Sequence, residues 1–143
     1  MTYQFTCRAS ELEVRSLMAQ LGSALRESAL EDDLQSSVEI AVTEALNNIV
    51  EHACAGISDA LIRIDLTIKA AHVIVHLQDP GAALPGCRIP QARALDLAVG
   101  RDDLPEGGFG WGLIHALTDQ LEYSRSEGAN RLRMRFARGS SVL

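Results

Sequence analysis

A chain of 143 residues with 47% apolar composition is expected to fold as one domain, residues 1–143, around one core. Its 13 Lys and Arg against 19 Asp and Glu give a formal net charge of −6, which argues against nucleic acid as a partner, because that binding relies on basic surface. No run approaches the roughly 18 to 20 apolar residues of a membrane span, and residues 1–10 lack the charged start and apolar run of a secretory signal. The expected protein is soluble and cytoplasmic, with no membrane partner. Cys7, Cys54 and Cys87 are odd in number and far apart, which argues against a disulfide framework or a zinc site and for three ordinary thiols.

Residues 2–8 read as a short first strand. Ser10 reads as a helix N-cap, with Glu13 completing a capping box. Val14, Leu17, Met18, Leu21 and Leu25 form the apolar stripe of the helix that follows. A second helix is expected from about Asp33 to Ala53, burying Val38, Val42, Ala45 and Ile49. Two strands come next: Ile62, Ile64, Leu66 and Ile68 alternate with Arg63, Asp65 and Thr67, and Val73, Val75 and Leu77 alternate with His72, His76 and Gln78.

Residues 80–106 contain all four prolines and several glycines. A connection this long in a small domain points to a functional loop such as a lid, here 82–106, with a short helix at 92–99 inside it. A glycine-rich stretch and a helix from about Trp111 to Thr118 follow. Leu121 to Arg125 and Arg131 to Ala137 are expected to pair around a turn at Glu127-Gly128-Ala129-Asn130, with Leu132, Met134 and Phe136 inward and Arg131, Arg133 and Arg135 on a solvated face. This order does not alternate strand, helix, strand. It fits an α+β two-layer sandwich, a mostly antiparallel sheet with helices on one face.

Three motifs carry chemistry. Gly108, Gly110 and Gly112 leave backbone amides unobstructed at the start of a helix, where the positive end of the helix dipole attracts phosphate. The stretch has neither the Gly-Lys-Ser/Thr of a Walker loop nor the preceding strand of a dinucleotide fingerprint. Spacing alone does not separate a phosphate loop from a flexible connector. Glu44, Asn48 and His52, four residues apart, share one helix face beside the apolar stripe, either as the edge of a pocket or as the ordinary polar flank of an amphipathic helix. Asn48 offers a neutral oxygen suited to Mg²⁺, which often takes only one or two protein ligands, and Glu44 a carboxylate able to take or orient a hydroxyl proton. Asp79 ends a strand before Pro80-Gly81. There it could accept a hydrogen bond from an exocyclic amine such as adenine N6, or simply start a turn. His72 and His76 lie roughly 13 Å apart along a strand and cannot share a metal ion.

Together, Glu44-x-x-x-Asn48-x-x-x-His52, Asp79-x-Gly81 and the run from Gly107 to Ile114 resemble the three nucleotide boxes of the GHKL (Bergerat-fold, histidine-kinase-like) ATPases, above all the small anti-sigma-factor serine kinases. The resemblance covers nearly the whole chain and extends to Asp119–Tyr123 and Gly128–Leu132. It implies ATP and Mg²⁺ as cofactors, Asn48 as metal ligand and Glu44 as catalytic base. Asp79 would read adenine with Gly81 allowing close approach, and Gly107, Gly108, Phe109, Gly110, Trp111, Gly112 and Leu113 would form the phosphate loop. His52 belongs to the same site without an assigned role, and Arg101 in the lid would meet the γ-phosphate on closure. Arg15 falls where such kinases contact a partner, and it is equally a solvated helix Arg. The implied partners are a STAS-domain antagonist, phosphorylated on serine, and a sigma factor or other signalling protein, with the kinase a homodimer. One departure is Ala83, where a second glycine or proline is common. The alternative is a non-catalytic module that binds ATP and regulates its partner through nucleotide-dependent affinity.

Overall fold

The computed structural model describes residues 1–91 and 108–139. Strand β1 (Thr2–Arg8) leads through Ser10 into helix α1 (Glu11–Glu27), and helix α2 (Asp32–Asn48) continues into a π-helical turn at Ile49–Ala53. Strands β2 (Leu61–Ile68) and β3 (His72–Asp79) form a hairpin, Pro85–Cys87 make a 3₁₀ turn, and helix α3 (Gly108–Leu117) precedes the hairpin of β4 (Gln120–Ser126) and β5 (Ala129–Ala137). The five strands form one sheet in the order β1-β2-β3-β5-β4, with every neighbouring pair antiparallel. Among the described residues no helix is long and apolar enough to cross a membrane.

Alternation dictates the layering. Ile62, Ile64 and Leu66 of β2, Val73, Val75 and Leu77 of β3, and Leu132, Met134 and Phe136 of β5 are buried on one face, against Leu17, Leu21 and Leu25 of α1 and Val38, Val42 and Ala45 of α2. Each such side chain, fully removed from water, contributes about 1.5–3 kcal/mol. The opposite face carries Arg131, Arg133 and Arg135, half-buried, with Arg135 paired to Asp119 at 2.6 Å. Ser10 caps α1 as the sequence implies, accepting from the Glu13 amide at 3.2 Å, but the Glu13 carboxylate reaches past it to the Arg8 amide at 2.8 Å.

Three further expectations change. The second helix does not run as α-helix to Ala53. The Cys54 amide bonds the Ile49 carbonyl, five residues back, at 2.7 Å, so the last turn is wider and His52 is no longer on the same straight face as Glu44 and Asn48. This ending leaves the Ala53 carbonyl free to accept the Ala82 amide at 2.7 Å. The third helix starts at Gly108, earlier than Trp111, so Gly110 and Gly112 lie inside its first turns. The last hairpin turns in two residues, not four. Glu127 and Gly128 have φ of 53° and 75°, the left-handed pair of a type I′ turn, and Ser126 faces Ala129. Asn130 is therefore a strand residue, opposite Asp79 in the β3–β5 ladder. The short helix expected at 92–99 lies outside the described residues.

Candidate functional site

A cavity of about 510 Å³ opens between α2, the 80–91 segment, α3 and the β4–β5 hairpin. One end is built on Asp79. This carboxylate is 4% exposed, and its Oδ1 accepts from the Gly81 amide at 2.8 Å and the Asn130 Nδ2 at 3.0 Å, with the Cys54 thiol at 3.9 Å. Among the described residues none donates to Oδ2, so the second oxygen remains an acceptor on a cavity-lining residue. Gly81 is required by proximity. A Cβ there would stand 2.3 Å from the Ala53 carbonyl oxygen, so only glycine lets the chain pass the end of α2. Burial first, then the Asp79 charge and the hydrogen bond to it, push the Cys54 thiol up to about 11.

The other end lies where α2 meets α3. Asn48 lines the cavity, and its Nδ2 is buried without a hydrogen-bond partner among the described residues. A Cβ on Gly110 would stand 3.0 Å from Glu44 Oε2 and 3.6 Å from Asn48 Oδ1, so the glycine brings the first turn of α3 against both side chains. The first amides of α3 have no intrahelical acceptors and carry the positive end of its dipole. No Lys or Arg is among the lining residues described. A polyphosphate here would therefore need these amides and a divalent cation to offset its charge. The donor chemistry fits Mg²⁺ at the neutral Asn48 Oδ1 beside the Glu44 carboxylate, with most coordination left to phosphate and water, while the unpartnered Nδ2 is a donor suited to a phosphate oxygen. Among the described residues no group of three His, Cys, Asp or Glu could hold a metal by itself.

The structure gathers most of the residues singled out in the sequence. Asn48, His52, Asp79 and Trp111 line the cavity, His52 from its exposed rim and Trp111 as a buried wall. Glu44 stands behind Gly110. Gly81 supports Asp79 from outside the lining. Gly108 and Phe109 begin α3, and Gly112 and Leu113 continue it without lining the cavity. Arg15 is exposed on α1. Gly107 and Arg101 lie outside the described residues.

Sequence reasoning missed a second set, Asn130, Tyr123 and Arg125. Asn130 is 5% exposed and donates to Asp79, to the Ala82 carbonyl at 2.8 Å and to the Gly81 carbonyl at 3.4 Å. Its Oδ1 accepts from Tyr123 at 2.6 Å and from Arg125 at 2.8 Å. Tyr123 in turn accepts from the Leu84 amide at 3.1 Å, and Arg125 donates to the Gly81 carbonyl at 2.8 Å. Farther along the segment, His115 of α3 bonds the Pro90 carbonyl at 2.9 Å. The available signal was the Glu127-Gly128 dipeptide: as a two-residue turn it places Asn130 in the sheet, next to Asp79.

Residues 7–136 match the family described as histidine kinase-like ATPase domain. The serine/threonine-protein kinase BtrW of Bordetella bronchiseptica is 35% identical over 99 residues, covering 69% of this chain and 68% of that protein. An anti-sigma F factor of Clostridium beijerinckii is 28% identical over 119 residues, covering 83% of this chain and 76% of that protein. Among solved structures, the RsbU and RsbW domains of Rv1364c from Mycobacterium tuberculosis superpose with a TM-score of 0.68 at 18% identity, over 96% of this chain and 32% of that longer one, a likeness of fold.

Proposed function

Because this chain belongs to the histidine kinase-like ATPase domain family, we propose that it is an ATP-dependent protein-serine kinase and anti-sigma factor of a partner-switching module. In this reading it acts in the cytoplasm as a homodimer, holds a sigma factor inactive, and phosphorylates a STAS-domain antagonist on serine, with Arg15 in the partner surface. The observation that carries it is the two-ended cavity. Among the described residues, a buried carboxylate with one oxygen left over suits the amine edge of adenine, and an amide nitrogen without a partner beside a helix N-terminus suits phosphates.

The γ-phosphoryl group passes from the β–γ bridging oxygen of ATP to the serine Oγ. The bond to ADP breaks and the hydroxyl proton goes to Glu44. When bound, Mg²⁺ offsets phosphate charge, with Asn48 as its protein ligand. Gly108, Gly110 and Gly112 admit the phosphates, Gly107, Phe109, Trp111 and Leu113 complete the loop, and His52 closes the rim. Arg101 meets the γ-phosphate. The test is recovery of this chain with its partners from native lysate under Mg-ATP and under Mg-ADP, with phosphoserine mapping. A STAS protein newly phosphorylated under Mg-ATP, and left unmodified by Glu44→Gln, is the expected result. Partners that respond to nucleotide yet gain no phosphate would replace the kinase by the regulatory binding module.

A further inference from the structure

We propose that Asn130 and Tyr123 are positioning residues that set the preference for adenine and tie the recognition of the base to the Gly81–Leu84 segment that follows β3. The inference rests on the nucleotide-binding reading of the cavity. It begins with the orientation of one amide. Arg125 can only donate, so the Asn130 atom 2.8 Å from its guanidinium must be oxygen. Tyr123 agrees: its hydroxyl accepts from the Leu84 amide and so directs its own proton at the same oxygen, 2.6 Å away. The Asn130 NH₂ is thereby committed to the other side, where it meets Asp79 Oδ1 at 3.0 Å and the Ala82 carbonyl at 2.8 Å.

Two consequences follow. Asp79 is fixed in rotation, because the Gly81 amide and the Asn130 NH₂ both fill Oδ1, and Oδ2 is left as a pure acceptor. An acceptor held in place pairs with the exocyclic amine of adenine and opposes the carbonyl of guanine. A carboxylate free to rotate or take up a proton discriminates less. The second consequence concerns the segment that follows Asp79. The carbonyls of Gly81 and Ala82 and the amide of Leu84 are all satisfied by side chains of the β4–β5 hairpin. The same Asn130 therefore orients the base-reading carboxylate and anchors the Gly81–Ala82 backbone. Tyr123 extends that anchor two residues further.

The experiment compares KM and kcat for ATP, and the ratio of ATP to GTP use, in wild type, Asn130→Asp, Asn130→Thr and Tyr123→Phe. Asn130→Asp keeps the shape and removes the donor. Its KM for ATP should rise about 10- to 100-fold, the worth of a hydrogen bond to a charged group, with the ATP-to-GTP ratio falling alongside while kcat changes little. Asn130→Thr, whose hydroxyl still donates, should recover much of both. Tyr123→Phe keeps the bond from Asn130 to Asp79 but frees the Leu84 amide, so hydrogen exchange at Leu84 should accelerate at least about tenfold, well beyond any change at core amides that share the small loss of global stability. An unchanged KM and nucleotide ratio in Asn130→Asp would overturn the specificity role. If that variant does not fold, Asn130→Thr and Tyr123→Phe decide. A Thr variant that loses affinity for ATP and GTP alike, or unaltered exchange at Leu84, would overturn the relay. A wild type that fails to bind ATP would instead overturn the nucleotide reading on which it rests.

Discussion

The two ends of the cavity are built on opposite principles. At the Asp79 end the side chains of Asn130, Tyr123 and Arg125 hydrogen-bond one another and the backbone of Gly81 and Ala82, and Asp79 Oδ2 is an acceptor with no donor among the described residues. At the Asn48 end a buried amide nitrogen has no partner among the described residues, and glycines hold a helix N-terminus close by. A buried polar group left unsatisfied costs about 1–3 kcal/mol. The fold tolerates that cost where a charged ligand and its counter-ion would relieve it. It avoids the cost where the shape of a base must be read. Recognition of the base is preorganised, and the phosphate end is left for the ligand to complete.

The contrast is sharpest in Asn48→Ala. Removing this amide should lower phosphotransfer about 10²- to 10³-fold, the range found when one group stabilising developing charge is deleted. It should leave the melting temperature unchanged or slightly higher, because the lost Nδ2 has no partner among the described residues. A variant that melts markedly lower would mean that Asn48 is satisfied in solution, and the two ends would then be alike.

Gly81→Ala tests the other end. The new Cβ cannot coexist with the Ala53 carbonyl at 2.3 Å, and the Ala82 amide bound to that carbonyl prevents an easy retreat. Overpacking of this kind costs about 1–3 kcal/mol, or roughly 2–4 °C per kcal/mol in a domain of this size. Calorimetry should find that loss together with weaker ATP binding, because displacing Gly81 releases a donor from Asp79. Loss of stability with full ATP affinity would separate the packing at Gly81 from the reading of the base.

The sheet and the helical layer were legible in the sequence because alternation and the 3.6-residue stripe report burial directly. Ile62, Ile64, Leu66, Val38 and Phe136 all face where their spacing says. The boxes gave Asn48, Asp79, Gly81 and Trp111 because their chemistry is local in sequence. The hydrogen-bond network was not legible, because it depends on register. Asn130 meets Asp79 only if the hairpin turns at Glu127 and Gly128. A Glu at φ 53° is a rare occupant of such a turn, since the left-handed conformation costs a side-chain-bearing residue about 1–2 kcal/mol. The pairing of β3, β5 and β4 outweighs that local preference. The π-turn was hidden for a similar reason: nothing in Ile49-Val50-Glu51-His52-Ala53 opposes an α-helix, and the tie from Ala53 to Ala82 is a tertiary contact.

The smallest effect is a difference between two built-in reporters. Trp111 is the only tryptophan of the chain and, 8% exposed, walls the cavity on α3, so its fluorescence should change as Mg-ATP is added. Cys54 reports from the Asp79 end. Its thiol is pushed from 9.0 up to about 11 by burial, with the Asp79 charge and hydrogen bond adding to the effect. A raised thiol pKa favours the neutral form in the folded state. Its contribution to stability is complete below about pH 9 and is lost as pH climbs towards 11. Only the thiolate reacts with iodoacetamide. At pH 8, therefore, exposed Cys87 should label first, and buried Cys54 should stay slow both without nucleotide and with it. A Trp111 signal that follows nucleotide beside a Cys54 rate that does not is the signature of one end completed by the ligand and one end already built. Cys54 labelling as fast as Cys87 in the absence of ATP would mean that the Asp79 end opens in solution, and the preorganisation argued from its hydrogen bonds would fail.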